Sequence, residues 1–420
     1  MKKHALMLIG LVCILGCSDQ HCPVSGIPSL AFIKPDGSGT HATIQDAIDK
    51  AEDGDVIELD DGVFRGDGNR DLNFSGKAIS VRSRSGNPYA CVIDCQGDSL
   101  DPHQGFFFHN GEDSSASIEK LGITNGFARL YGGCIRFDNY SSATLVGLVL
   151  TESAARDGGA IACWHGSDPV IRDCVFIGNR SIRTGSLACY ESSPTIVGCH
   201  FRDNEGYWGG AISILRESQR PALIEECTFE LNQANDGGAI YFGQATTEVR
   251  ECLFRHNVAR EFGGAWFCAE ASPRLTACTS HHNYALVGGA LHCQEDCIPI
   301  LTQCTLCYET GMYVGAAIHL VLRSRAECRQ CIIAFCAGGQ AVESSDTTSI
   351  PTLQCCNLHG NRGGDWTGAI EGQLGTFGNI SAWPWFCDAE FGDYHLQASS
   401  PCSGDSTGCG RMGAWPVGCD

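Results

Sequence analysis

The sequence predicts an all-β chain wound into one right-handed parallel β-helix of about ten coils, with an N-terminal capping helix and a cysteine-rich C-terminal cap. Three observations predict it. A cysteine recurs at positions 174, 199, 227, 252, 278, 304, 331 and 356, in steps of 25, 28, 25, 26, 26, 27 and 25. A Gly-Gly-Ala-apolar motif recurs between them, at 158–161, 209–212, 237–240, 263–266 and 288–291, with looser copies at 132–135 and 315–318. The intervening runs are short, rich in β-formers, and broken by Gly, Pro, Asn and Ser, which read as strands and turns. A fixed period of this length marks a fold whose units bury their apolar faces only against their neighbours. Leucine-rich repeats share the period but need a leucine frame that is absent here, and helical repeats run longer and avoid Gly-Gly.

Taken in order, the chain starts with Met1-Lys2-Lys3 and an apolar run from Ala5 to Leu15, too short to span a bilayer, which reads as an export signal. Ile14-Leu15-Gly16-Cys17 resembles a bacterial lipobox. The expectation is a signal peptide over 1–16, a lipid on Cys17 and a tether over 17–30. Ser18 after that cysteine implies an outer-membrane, cell-surface lipoprotein. The β-helix follows over 31–380. Its N-terminal cap is a helix over 43–52, begun by Thr43-Ile44-Gln45-Asp46 as a capping box, with Ile44, Ala47, Ile48 and Ala51 on one face and strand Val56–Leu59 beyond.

Within each coil the inward residues can be read directly. Three positions before the cysteine stand Ile171, Ile196, Ile224 and Val249; two after it stand Phe176, Phe201, Phe229 and Phe254. Polar or turn-like residues lie between, so the chain bends just before the cysteine, and strand alternation turns the cysteine and its second neighbour inward. Stacked coils then form aliphatic, thiol and Phe ladders. Asn179, Asn204, Asn232, Asn257, Asn283 and Asn361 mark the next corner, where asparagine tolerates a left-handed backbone and stacked amides satisfy one another. Cβ atoms on successive coils lie nearly 5 Å apart, further than a disulfide allows, so the ladder cysteines are expected as buried free thiols. Cys91 with Cys95, and Cys387, Cys402, Cys409 and Cys419, are the better disulfide candidates. Residues 381–420 lose the repeat and read as the C-terminal cap.

Several stretches resemble known families. Ile33-Lys34-Pro35-Asp36-Gly37-Ser38-Gly39, Thr43 to Ile48, Asp53-Gly54-Asp55 and Gly62-Val63-Phe64 resemble the N-terminal signature of the pectin-lyase-like β-helix superfamily. The Gly-Gly-Ala-Ile and Phe-x-x-Asn repeats are similar to those of polymorphic outer-membrane adhesins. Gly392 to Leu396 with Ser400-Pro401-Cys402 resembles the closing motif of bacterial secreted β-helix proteins. The resemblance implies a fold that hosts lyases, hydrolases, adhesins and binding proteins.

The formal charge is −20, from 28 basic and 48 acidic residues. That surface repels nucleic acid and anionic lipid, and leaves the N-terminal lipid as the expected membrane contact. On the Gly-Gly strands one outward row reads Arg136, Ala162, Ala188, Ser213, Tyr241, Phe267, His292, His319, and the next Asp138, Trp164, Tyr190, Leu215, Gly243, Ala269, Gln294, Val321. Asp138 is the one acid, so no carboxylate pair marks a glycosidase and no catalytic residue is assigned. The rows do place Trp164 beside Tyr190, and Tyr241 beside Phe267 with His292 next. These five form a candidate glycan-binding strip, against the plainer reading of cross-coil packing. His281, His282, His292 and His319 are expected as solvated or packing residues, and no metal site is assigned. No cofactor is expected except Ca²⁺, for which Asp94, Asp98 and Asp101 near Asp67 and Asp71 are the candidate, against a plain turn role. The expected function is a surface lipoprotein that binds a polysaccharide or other cell-surface glycan. The alternatives are a polysaccharide lyase or glycoside hydrolase with loop-borne residues, and a structural envelope protein.

Overall fold

The computed structural model describes residues 29–404 and 408–420. The predicted signal peptide, the lipid-bearing Cys17 and the tether as far as residue 28 lie outside the described residues.

Three long parallel sheets run the length of the stack. The pre-cysteine sheet has thirteen strands, from Leu30–Ile33 to Thr352–Gln354; the post-cysteine sheet has twelve, from Gly62–Phe64 to Asn357–His359; the Gly-Gly sheet has ten, from Phe106–Phe108 to Val342–Ser344. A fourth arm of shorter strands joins the asparagine corner to the glycine pair, among them Phe127–Tyr131, Ala154–Asp157, Gln233–Asp236 and Val258–Phe262. Thirteen strands in one sheet mean more coils than the ten expected. The extra coils lie mainly at the N-terminal end, at Leu30–Ile33, Val56–Leu59 and Ser80–Ser83; they lack the Gly-Gly motif, and the ladder cysteine of the third, Cys91, stands 30 residues before Leu121, outside the 25–28 residue period. At about 4.8 Å per strand the stack is roughly 60 Å long.

The predicted columns are the observed register. Ile171 pairs with Ile196, Ile224 and Val249 in succession, and Phe176 with Phe201, Phe229 and Phe254. The four Phe rings stack at 4.3, 5.1 and 4.6 Å between centroids. The bend before each cysteine is one left-handed residue, such as Asp173 (φ 53°), Glu226 (53°) and Gln303 (52°). The asparagine corner works differently from the expectation. The left-handed residue is the one before it, as at Asp203, Leu231, His256 and His282. That bend leaves the asparagine free to turn its amide into the core. Each buried Oδ1 accepts from both the backbone N–H and the side-chain amide of the preceding asparagine, from Asn179 through Asn283.

The glycine pair has a steric cause. Gly237 has φ 69°, and a Cβ on Gly238 would lie 2.2 Å from the Gly264 carbonyl of the next coil. Only glycine lets the stacked backbones approach this closely.

The ladder thiols of Cys174, Cys199, Cys227, Cys252, Cys278, Cys304, Cys331 and Cys356 are buried and unbridged. Among the described residues the disulfides are Cys355–Cys409 and Cys387–Cys419. Cys91, Cys95 and Cys402, candidates for bridging, are buried free thiols; Cys355, which turns a corner, supplies the partner for Cys409.

The N-terminal helix spans Ile44–Lys50, capped by Thr43, whose side chain accepts from the Asp46 N–H, and buries Ile44, Ala47 and Ile48. The last forty residues do more than close the end. They run back along the post-cysteine sheet: Trp415 donates its indole N–H to Thr279 Oγ1, Gly413 N–H bonds to the Gln330 carbonyl, and Tyr394 and Met412 bury against Cys307, Ile332 and Ala334.

Candidate functional site

The candidate site is a cleft on the Gly-Gly face, where the fourth arm bends over the ends of the Gly-Gly strands. Trp164 and Tyr190 end the adjacent strands Ile161–Trp164 and Leu187–Tyr190 and pair in register. Their rings are 5.2 Å apart, and Tyr131 from the fourth arm meets Trp164 edge-on at 4.8 Å. Tyr131, Arg156, Asp157, Trp164, His165, Arg183 and Tyr190 enclose a cavity of about 280 Å³. A second hollow of about 270 Å³ continues it along the rod past Trp208, Arg216 and Tyr241, with Arg183 and Tyr190 shared. Gly243 opens the floor there: a Cβ at this position would lie 3.1 Å from the Tyr241 ring.

Arginines and carboxylates meet in the cleft: Arg216 pairs with Glu191, and Glu270 lines the second hollow. Asp157 is fully buried and flanked by Arg156 Nε at 2.9 Å and Arg183 Nε at 3.3 Å. Arg156 and Arg136 also lie over the Tyr131 ring, Arg183 over Trp208, and Arg216 over Tyr190. Two Arg on one carboxylate leave cationic surface to spare, and guanidinium planes over rings stay oriented. Beside them, Asp138 binds His165 Nδ1 at 2.7 Å and Arg136 at 2.5 Å. Burial of Asp138 opposes ionisation, but the bonds to His165 and Arg136 outweigh it and hold its carboxyl below the ordinary range.

Of the five expected ligand-binding residues, the structure brings Trp164 with Tyr190, and Tyr241 with Phe267 and His292, into contact as the register implied. It does not leave them all open. Trp164, Phe267 and His292 are 7%, 3% and 2% exposed, because Tyr131 and Phe262 of the fourth arm lie across them. Tyr190 and Tyr241 remain half-buried at the surface. Phe267 and His292, covered by Phe262, are therefore packing residues, whereas the Trp164–Tyr190 end borders the cleft. Asp157, Arg156, Arg183 and Tyr131 escape a reading of the Gly-Gly rows because they lie on the fourth arm. A signal existed: Arg129, Arg156 and Arg183 recur in steps of 27.

The acidic residues expected for Ca²⁺ have partners within the protein. Asp94 binds Arg65 and Asn125, Asp98 caps the turn at Leu100 and Asp101, and His103 takes Asp71 and Asp101. Among the described residues, the group of three with ligand atoms converging is instead His256, His281 and His282.

The family model described as a right-handed beta helix region matches residues 72–254. No curated protein matches the chain. Among solved structures, the pectate lyase Pel9A is similar at 12% identity with a TM-score of 0.47, over 93% of this chain and 96% of that one. From the family match over residues 72–254 and the in-register stacking of three parallel sheets, the chain is a right-handed parallel β-helix.

Proposed function

We propose that this protein is an exported envelope lipoprotein that binds an acidic polysaccharide along the Gly-Gly face, in the cleft between Tyr131, Trp164 and Tyr190. The observation that supports it is the pairing of aromatic rings with Arg156 and Arg183, which share the single carboxylate of Asp157, on a chain whose formal charge is −20. Flat rings suit the apolar faces of sugars, and guanidinium forks suit uronate carboxylates or sulfates. Anchoring through lipid on Cys17 would hold the rod at the outer membrane, with the cleft available to glycan from the surroundings, as in an adhesin.

The test is titration of the purified chain with a uronic-acid polymer, a sulfated polymer and a neutral glucan. Binding should favour the charged polymers, weaken with added salt, and fall on Tyr190→Ala and on Arg183→Ala. Equal binding of the neutral glucan, or retention by both variants, rejects the reading.

A second reading is a carbohydrate-active enzyme, favoured by the Asp138–His165 pair beside Asp157 and its arginines. New reducing ends or unsaturated uronates in the same titration, abolished by Asp138→Asn, would select it over simple binding.

A further inference from the structure

We propose that His256, His281 and His282 form a binding site for a borderline divalent cation, Zn²⁺ above all. The site lies at the corner after the post-cysteine strands, outside the glycan cleft. It arises from the way this corner bends. In a regular strand the neighbours His281 and His282 would point to opposite faces. His282 is the left-handed residue of its coil (φ 55°), and that bend swings its ring toward His281. His256 holds the same left-handed position one coil earlier (φ 54°), so stacking brings the third ring alongside.

The distances suit a metal. His281 Nδ1 and His282 Nδ1 are 2.9 Å apart, and one ligand nitrogen from each of the three residues lies within 4.8 Å of the others. Two imidazoles on a tetrahedral zinc at ordinary bond lengths stand about 3.3 Å apart. The first pair is thus already near coordination spacing, and exposed His256 can close the remainder by side-chain rotation. The rings are held from outside: Tyr308 stacks on His282 at 5.0 Å, and Tyr394 packs on His281 at 5.2 Å. The nearby cation, Arg255, is paired with Glu230 at 3.0 Å. Three imidazoles with an open fourth position favour zinc, copper or nickel over calcium or magnesium, which prefer oxygen. Tyr394 belongs to the returning C-terminal segment, so a bound ion would tighten the corner against which that segment packs.

The test is calorimetric titration of the untagged, chelator-stripped chain with ZnCl₂, and thermal melts with and without the ion. One Zn²⁺ per chain should bind and raise the melting temperature. His256→Asn and His282→Asn keep a residue that tolerates the left-handed backbone; each should weaken binding by roughly a hundredfold or more while leaving the circular dichroism spectrum intact. His319→Gln, at the other histidine pair, should leave binding unchanged. Cobalt(II) should give a tetrahedral spectrum without the intense sulfur-to-metal band that a thiol site produces. Absence of Zn²⁺ binding, undiminished affinity in both asparagine variants, or a sulfur band would each overturn the proposal.

Discussion

Asn283 donates its side-chain amide to Glu309 Oε1 at 3.2 Å, and there the asparagine-to-asparagine bonding that began at Asn179 passes to a carboxyl group. Glu309 occupies the ladder position of its coil and is fully buried. It fits because the Phe column is interrupted at Ser280, whose Oγ lies 2.5 Å from the same Oε1, while the Asn283 N–H bonds Oε2 at 2.8 Å. Burial pushes the Glu309 carboxyl up to about 8, against the lowering effect of these bonds.

The consequence is a pH dependence with a definite sign. A carboxyl whose folded value lies above 4.5 binds its proton more tightly in the folded state. Its stabilising contribution is full below pH 4.5 and is lost as pH rises toward about 8. The depressed His281, His292 and His319, driven down chiefly by burial, act oppositely, losing stability as pH falls below 6.5. The informative quantity is therefore the difference from Glu309→Gln, which keeps the ladder acceptor without the charge. Relative to wild type, that variant should gain melting temperature steadily from pH 4.5 to 8. Parallel melting profiles for the two proteins would refute the assignment.

The ladder itself should be costly to break. Asn232→Ala removes the acceptor for the Asn204 backbone and side-chain amides, and the donor to Asn257 Oδ1 and the Phe201 carbonyl. Each buried group left unsatisfied costs about 1–3 kcal/mol, so a total of at least about 2 kcal/mol is expected from urea titration. A loss below about 0.5 kcal/mol would show that the ladder is a consequence of coil stacking rather than a support for it.

Phe229→Ala tests the neighbouring column. The ring is fully buried between Phe201 and Phe254, and its removal should cost about 3–5 kcal/mol in the same titration. A near-neutral result would mean the column collapses freely around the gap.

The thiols give a chemical check on register. Burial raises Cys199, Cys252, Cys304 and Cys356 well above the ordinary thiol range, so they should be inert to alkylation in the folded chain and fully alkylated in denaturant. Cys355, Cys409, Cys387 and Cys419 should require reduction first. Recovery of bridged ladder cysteines by mass spectrometry would contradict the stacking geometry.

Most of the coil was legible in the amino-acid order, because a repeat of about 26 residues converts linear position into vertical alignment. Ile171 over Ile196, Phe176 over Phe201 and Trp164 beside Tyr190 all follow from that period and strand alternation alone. Three things did not. The N-terminal coils are not legible because they carry no Gly-Gly mark and the one ladder cysteine among them, Cys91, falls off the period. At the asparagine corner the left-handed residue is the one before the asparagine, and spacing does not separate two adjacent residues of one bend. The C-terminal segment has no period, so its return along the post-cysteine sheet depends on contacts such as Trp415 with Thr279.

The period of the sequence, then, determined which residues share a column, and therefore the fold and its core. Tertiary structure decided which columns face solvent. The path of each coil between its asparagine corner and the following glycine sets whether the fourth arm covers an outward row, as Phe262 covers Phe267 and His292, or leaves a cleft beside it, as at Trp164 and Tyr190. That path depends on backbone angles and packing around the whole coil, whereas a column depends only on spacing.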